Sequence, residues 1–238
     1  ATAGTVSTLT PVPTFSDDVI CYPHLVPDHY YAILGSNSCA SALRWLRDAL
    51  FDDIGFDGMD RIAQVAPAGC DGLLFHPYLN GERSPYWDPD LRASFVGLGF
   101  GHDARHMCRA VYEGIAFTLR DCLSVLDDRN MGFATARLVG GGTRSALWRQ
   151  IIADVTGLII EIPAEGDASY GAALIAGIGA GIFADHADAA RVIRIAETLQ
   201  PDPAVADIYA SGFARFRAAK QALTPVNHQI VRAVREGK

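Results

Sequence analysis

The chain has 238 residues, half of them hydrophobic and a fifth charged. That is enough to bury a core without disulfide or metal staples, and it excludes a disordered tail, a collagen and a knottin. Twenty basic residues against 27 acidic ones leave a net charge of −7, so the overall balance gives no pull toward nucleic acid. The five cysteines (Cys21, Cys39, Cys70, Cys108 and Cys122) are widely spaced and form no C-x-x-C. A reducing, cytoplasmic setting is expected from them. No basic segment leads into an apolar run at the start, so no signal peptide is expected. The chain opens Ala1-Thr2-Ala3-Gly4 without an initiator Met.

In chain order, residues 2–9 are rich in Thr and Val and read as a strand. Prolines at 11, 13, 23 and 27 mark turning, extended segments. Asn37 is a candidate N-cap for a helix carrying Ala42, Leu43, Trp45, Leu46, Ala49 and Leu50 on one face. A short helix at 59–65 ends before Pro67, and 72–75 reads as a buried strand. The segment 77–89 is long, irregular and rich in aromatics and prolines; such loops are usually functional when they are ordered. Asp103 starts what the sequence presents as the longest helix, to about residue 126, with Met107, Val111, Ile115, Thr118, Leu119, Cys122 and Leu126 along its buried stripe.

Residues 137–139 form a strand running into Gly140-Gly141-Gly142, Ser145 caps the next helix, and Gly157 ends it. A buried strand follows at 158–162. A helix from Ser169 to about Gly179 lies in the longest apolar stretch, 171–183; this is too short to span a bilayer and reads as a tightly packed buried helix. A last strand at 192–195 and a closing amphipathic helix at 203–223 follow, and the final dozen residues read as a linker. Strands alternating with helices in the second half indicate an α/β layer.

Two segments carry chemistry. Consecutive glycines at 140–142 let a ligand approach the backbone, and the helix beyond offers unpaired N–H groups and a positive dipole end. This suits a nucleotide or another flat polar ligand; a tight strand-to-helix turn explains the same residues. It is neither a P-loop nor a dinucleotide-binding fingerprint. The loop Asn80-Gly81-Glu82-Arg83-Ser84-Pro85 continues to Asp88 and Asp90. Its charges either bind substrate or cross-pair and stiffen the loop, and the second reading is favoured. Gly177, Gly179 and Gly181 read as packing and C-capping. His102 and His106 lack a third metal ligand, no G-x-S-x-G is present, and Arg215, Arg217 and Lys220 read as a solvated face.

Several motifs in one order resemble the FGGY carbohydrate kinases. Ala93-Ser94-Phe95-Val96-Gly97-Leu98, then seven residues, then His106-Met107-Cys108-Arg109-Ala110-Val111-Tyr112-Glu113 is similar to that family's second signature. The loop 75–85 resembles that of the xylulokinases within the family, and Pro85-Tyr86-Trp87-Asp88-Pro89 also resembles glycerol kinase. The segment 140–156, with Leu147-Trp148-Arg149-Gln150, is similar to the adenosine motif.

The resemblance implies an α/β, actin-like (ribonuclease H-like) ATPase lobe with a mixed sheet flanked by helices. Residues 1–238 would be the C-terminal, nucleotide-binding lobe, with the N-terminal lobe absent from the chain. It implies ATP-dependent phosphorylation of a sugar hydroxyl, D-xylulose first, with gluconate, ribulose or glycerol kinase, or a non-catalytic nucleotide- or sugar-binding regulator, as alternatives. ATP and Mg2+ are the implied cofactors. The implied partners are the sugar, the N-terminal lobe and a second copy in a homodimer, with neither nucleic acid nor membrane. By motif, Thr2 and Gly4 would face the phosphates, Gly81 would approach the nucleotide from the side, and Gly141, Gly142 and Ser145 would contact the adenosine. Ala1 stands where that turn usually has glycine. No residue here is expected to be the catalytic base, which the resemblance puts upstream of Ala1.

Overall fold

The first strand alternates half-buried and exposed residues along its length, the period-2 pattern of a strand with one face on a core. The computed structural model, which describes residues 3–51 and 53–237, places this strand, β1, at Gly4–Thr10. Thr2 and Ala1 lie outside the described residues. β1 pairs antiparallel with β3 (Tyr30–Ser36), and β3 with β2 (Ile20–Pro23). Their inner face, with Ala32 and Leu34, packs on Cys122 and Leu126.

Helix α1 (Ala40–Leu50) starts later than an Asn37 cap requires. The Asn37 backbone N–H is taken by the Glu82 carboxylate (2.7 Å), and its side-chain amide turns to the Asn80 carbonyl. Cys39 stands at the N-cap with no side-chain bond. Ala42, Leu43 and Leu46 are buried as expected, whereas Trp45 and Leu50 are exposed. Helix α2 (Phe56–Ala63) begins three residues ahead of expectation. The buried strand is β4 (Leu74–His76), paired antiparallel with β5 (Ser94–Val96).

Helix α3 (Ala104–Asp127) is the centre of the chain. Asp103 caps it by accepting from the Arg105 backbone N–H, and His106 accepts from the Asp103 N–H to complete a capping box. The helix packs so closely on β4 that a methyl group at Gly114 would overlap the Phe75 carbonyl oxygen. Buried in the middle of it, the Glu113 carboxylate accepts from Arg109 Nε (2.7 Å), the Gly69 N–H (3.0 Å), the Tyr209 hydroxyl (3.0 Å) and the Cys70 thiol (3.4 Å).

The mixed sheet has the order β6 (Thr135–Arg137), β7 (Ile159–Pro163), β8 (Ile195–Leu199), with β6 and β7 parallel and joined through α4 (Ala146–Thr156), and β8 antiparallel to β7. Ile151, Ile152 and Val155 seat α4 in the core. Gly157 closes it, its N–H donating to the Ala153 carbonyl.

Helix α5 (Ala168–Gly179), capped by Asp167, is not the buried helix that its composition predicts. Of its residues only Gly177 is buried, and Ile175 and the following Ile182 are 47% and 73% exposed. The short α6 (His186–Ala190) lies against one end of it. Gly177, inside α5, packs on Phe183 as expected and its carbonyl accepts from the Ile182 N–H (2.8 Å), whereas a Cβ on Gly179 would meet nothing within 4 Å.

Helix α7 (Ala206–Arg235) corrects the sequence reading most strongly. At 30 residues it outruns the 24 of α3, passes through Pro225, and takes in the expected linker. Its second half is tied down by side chains: His228 pairs with Asp88 (2.7 Å), and Arg235 with Asp90 (2.7 Å). Nor are its cations merely solvated. Arg217 reaches Asp121 (3.5 Å), and the Lys220 ammonium stands 3.4 Å over the Tyr86 ring. Among the described residues all five cysteines are free thiols, and no helix is long and apolar enough to cross a membrane.

Two expectations follow. Gly114→Ala must push α3 off β4 and is expected to lower stability by about 1–3 kcal/mol or more; an unchanged urea midpoint would show that the contact relaxes freely. His76 is buried, donates from Nε2 to the Phe216 carbonyl (2.9 Å) and accepts the Ser94 hydroxyl at Nδ1 (2.9 Å). Burial holds its pKa below the ordinary value. As pH falls below about 6.5 the unfolded chain therefore gains a proton that the folded chain refuses, and stability drops until the folded pKa is reached. The loss of urea midpoint between about pH 7.5 and about pH 5.5 is expected to be smaller in His76→Gln; an equal loss assigns the acid sensitivity to other groups.

Candidate functional site

The glycine turn stands at the end of the mixed sheet. β6 ends at Arg137, Val139 is exposed, and Gly140 takes φ +94°, a left-handed conformation that favours glycine. Residues Gly141–Arg144 make one 3-10 turn, and the Thr143 hydroxyl donates to the Gly140 carbonyl (2.8 Å). Ser145 then caps α4, its Oγ accepting from the Trp148 N–H (3.0 Å). The Gly140 N–H donates to the Gly166 carbonyl (3.1 Å), which brings the loop before α5 alongside. Trp148, 4% exposed, forms the floor: a Cβ on Gly142 would stand 2.6 Å from its ring.

The three glycines have different reasons to be glycine. Gly140 needs its backbone conformation and Gly142 makes room for Trp148. Gly141 has neither requirement: its backbone is not left-handed, and a Cβ on it would meet nothing within 4 Å. It is exposed, on the turn that leads into the N-terminus of α4.

The second segment lies at the end of β3. Glu82 is 2% exposed and accepts from the Ser36 hydroxyl, the Asn37 N–H and the Arg83 N–H, all at 2.7–2.8 Å. Burial still pushes its pKa above the usual carboxylate value against those bonds. The Glu82 and Asp88 backbones pair with each other (2.9 Å both ways), and Tyr86 bonds the buried Asp121. Asp88 and Asp90 are held by His228 and Arg235 of α7. The loop is stiffened as expected, but its charges pair with partners on and beside β3 and on α7 rather than with one another. Those partners could not be read locally, because they lie up to 145 residues away.

Gly81 sits inside this loop at φ +65°, buried, and a Cβ on it would come within 2.6 Å of the Pro89 backbone. Loop closure by itself accounts for glycine there. Gly4 pairs with Ser36 and faces the Cys39 thiol, 2.9 Å from where its Cβ would be. The structure thus brings Gly4 and the Gly81 loop together at one end of β3, through Ser36 and Glu82. Gly141, Gly142 and Ser145 stand on the other sheet, and among the described residues no hydrogen bond joins the two groups. Sequence reading named Arg83 among the loop charges but not that its side chain runs across Gly35, and it missed the Trp148 floor under Gly142.

The model of the FGGY family of carbohydrate kinases, C-terminal domain, matches residues 2–180. A xylulose kinase of Staphylococcus epidermidis is 31% identical over 87% of this chain and 42% of its own length. A gluconokinase of Bacillus subtilis is 34% identical over 79% of this chain and 39% of its own length. Among solved structures, a ligand-bound xylulose kinase from Lactobacillus acidophilus superposes with a TM-score of 0.90 at 30% identity, covering 96% of this chain and 47% of that one. The chain therefore spans less than half the length of these relatives. With the matched domain taking in β1, the buried loop, α3 and the glycine turn, this chain belongs to the FGGY family of carbohydrate kinases and has the actin-like ATPase fold of that family.

Proposed function

We propose that this chain is the C-terminal, nucleotide-binding lobe of an ATP-dependent kinase that phosphorylates a sugar hydroxyl, with D-xylulose as the first substrate to test. The observation that carries the nucleotide reading is Gly141, the one glycine of the turn that neither its backbone nor its neighbours require. A bare backbone on an exposed shelf, floored by Trp148 and leading into a helix N-terminus, fits the flat face and polar edge of an adenosine. Gluconate is the second substrate to test, because a gluconokinase is among the relatives at similar identity.

ATP, when bound, supplies the γ-phosphoryl group. The residues of this chain have binding and orienting work to do. Gly141 admits the nucleoside to the backbone, and the Ser145 hydroxyl, whose lone pair caps α4, keeps its own proton free to donate. Gly4, at the start of β1, is proposed to face the phosphates, and so is Thr2, which lies outside the described residues. Holding donor and acceptor in line is the larger part of catalysis in phosphoryl transfer, since little covalent work falls to the protein. We assign the base that takes the sugar hydroxyl's proton, and most sugar contacts, to the part of the kinase that the relatives have beyond this match. Among the described residues no group of three or more His, Cys, Asp or Glu side chains is placed to hold a metal ion. The free thiols fit a reducing, cytoplasmic setting.

The exposed helix α5 supports the two-lobe reading. A helix that is apolar nearly all round belongs in a core, yet Ala172, Ala173, Ile175 and Ala176 lie bare. We propose that the other lobe covers this face.

In the full-length protein, Gly141→Val is expected to weaken ATP binding by about tenfold or more through steric block, with sugar affinity unchanged. Calorimetry with each ligand checks this, and equal loss of both affinities would mean a folding defect instead. Ile175→Lys is expected to lower turnover and to reduce the melting temperature by about 2–4 °C per kcal/mol lost; unchanged values of both would show that nothing packs on α5.

A further inference from the structure

The loop 80–90 carries three carboxylates and one arginine, and among the described residues only the arginine side chain lacks a partner. Glu82 is committed to Ser36, Asn37 and the Arg83 backbone, Asp88 to His228, and Asp90 to Arg235. The Arg83 side chain runs instead across Gly35. A Cβ on Gly35 would stand 2.5 Å from Nη2 and 3.3 Å from Cζ, so the bare backbone of β3 is what lets the guanidinium pass. Thr5, paired with Gly35 and exposed, flanks the same spot.

Among the described residues Arg83 enters no ion pair within 4.0 Å and no side-chain hydrogen bond, and its Nε is buried without a partner. The Glu82 carboxylate feels its charge but points its oxygens elsewhere. The base of the residue, by contrast, is fixed. Its N–H is held by Glu82 (2.8 Å), and the next N–H, of Ser84, donates to the Gly35 carbonyl (3.2 Å). A cation anchored at its backbone and open at its fork, half-buried beside the start of β1, is built to receive an oxyanion. Guanidinium binds phosphoryl oxygens in pairs, and partial desolvation strengthens each bond.

We propose that Arg83 binds phosphoryl oxygens of the nucleotide at the start of β1. This rests on the reading of the chain as the nucleotide-binding lobe of a kinase. A loop that reads as a structural plug thereby also presents a charge to the substrate, and the buried Glu82 is the anchor that aims it.

The test compares adenosine and ATP binding by calorimetry in the full-length protein, for wild type, Arg83→Met and Arg83→Lys. Wild type is expected to bind ATP more tightly than adenosine. Arg83→Met is expected to lose about tenfold or more in ATP affinity with adenosine affinity unchanged, and Arg83→Lys, which keeps the charge without the fork, is expected to fall between them. Equal loss of adenosine and ATP affinity, with a lowered melting temperature in both variants, would make Arg83 a structural residue and overturn the inference. Loss of sugar affinity alone, or ATP binding indifferent to both variants, overturns it while leaving the kinase reading intact. A wild type that binds neither adenosine nor ATP overturns both.

Discussion

A single buried carboxylate connects the parts of this chain that are farthest apart in sequence. Glu113, on the inner face of α3, accepts from Gly69 and Cys70 on one side, from Arg109 one turn back on its own helix, and from Tyr209 in the first turns of α7. Arg109 extends the web to the Ala66 carbonyl (3.1 Å) and the Tyr209 hydroxyl (3.0 Å). A charge at 2% exposure is tolerable only while these donors stay in place, since stripping a partner from a buried ion pair costs about 3–5 kcal/mol. The turn at 69–72, the central helix and the start of the closing helix are therefore locked in one arrangement. With α3 fixed, Gly114 sets its distance from β4, and β4 leads directly into the loop that carries Glu82 and Arg83.

That loop shows how a long irregular segment becomes rigid without regular structure. Its inward carboxylate, Glu82, satisfies donors at the end of β3, and its outward ones, Asp88 and Asp90, are caught by the last turns of α7. Lys220 closes the gap over Tyr86. The closing helix is thus more than a terminal amphipathic element: it braces the loop against β3, and the bracing in turn holds the helix together past Pro225. A proline within a helix removes one backbone bond and crowds the preceding turn, and here the side-chain ties beyond it favour continuing rather than fraying.

Much of the candidate site was legible, for local reasons. Asp103 and Ser145 are caps set by the residue and its next few neighbours, and Gly157 ends α4 by the same short-range logic. The glycine run at 140–142 was visible, and so was the unusual loop at 80–90. What could not be read was why each glycine is there. Gly4, Gly81 and Gly142 answer to Cys39, Pro89 and Trp148, contacts that only folding creates, and Gly141 alone is left without a reason inside the chain. The closing helix was cut short for a similar cause. Pro225 is a strong local breaker, while the buried stripe Phe213, Phe216, Asn227 and Val231 continues across it.

Helix α5 marks the boundary between the two kinds of information. Its sequence determined that it is a helix and that it is apolar, and the motifs along the chain determined the family and the order of its elements. These depend on residue type and spacing, which the chain carries by itself. Tertiary structure alone decided that the apolar helix lies uncovered, that Glu82 faces inward while Arg83 lies open across Gly35, and that His228 and Arg235 complete a loop 140 residues before them. Burial, charge pairing and the need for a bare backbone are properties of what surrounds a residue, and for these residues the surroundings are assembled from distant parts of the chain.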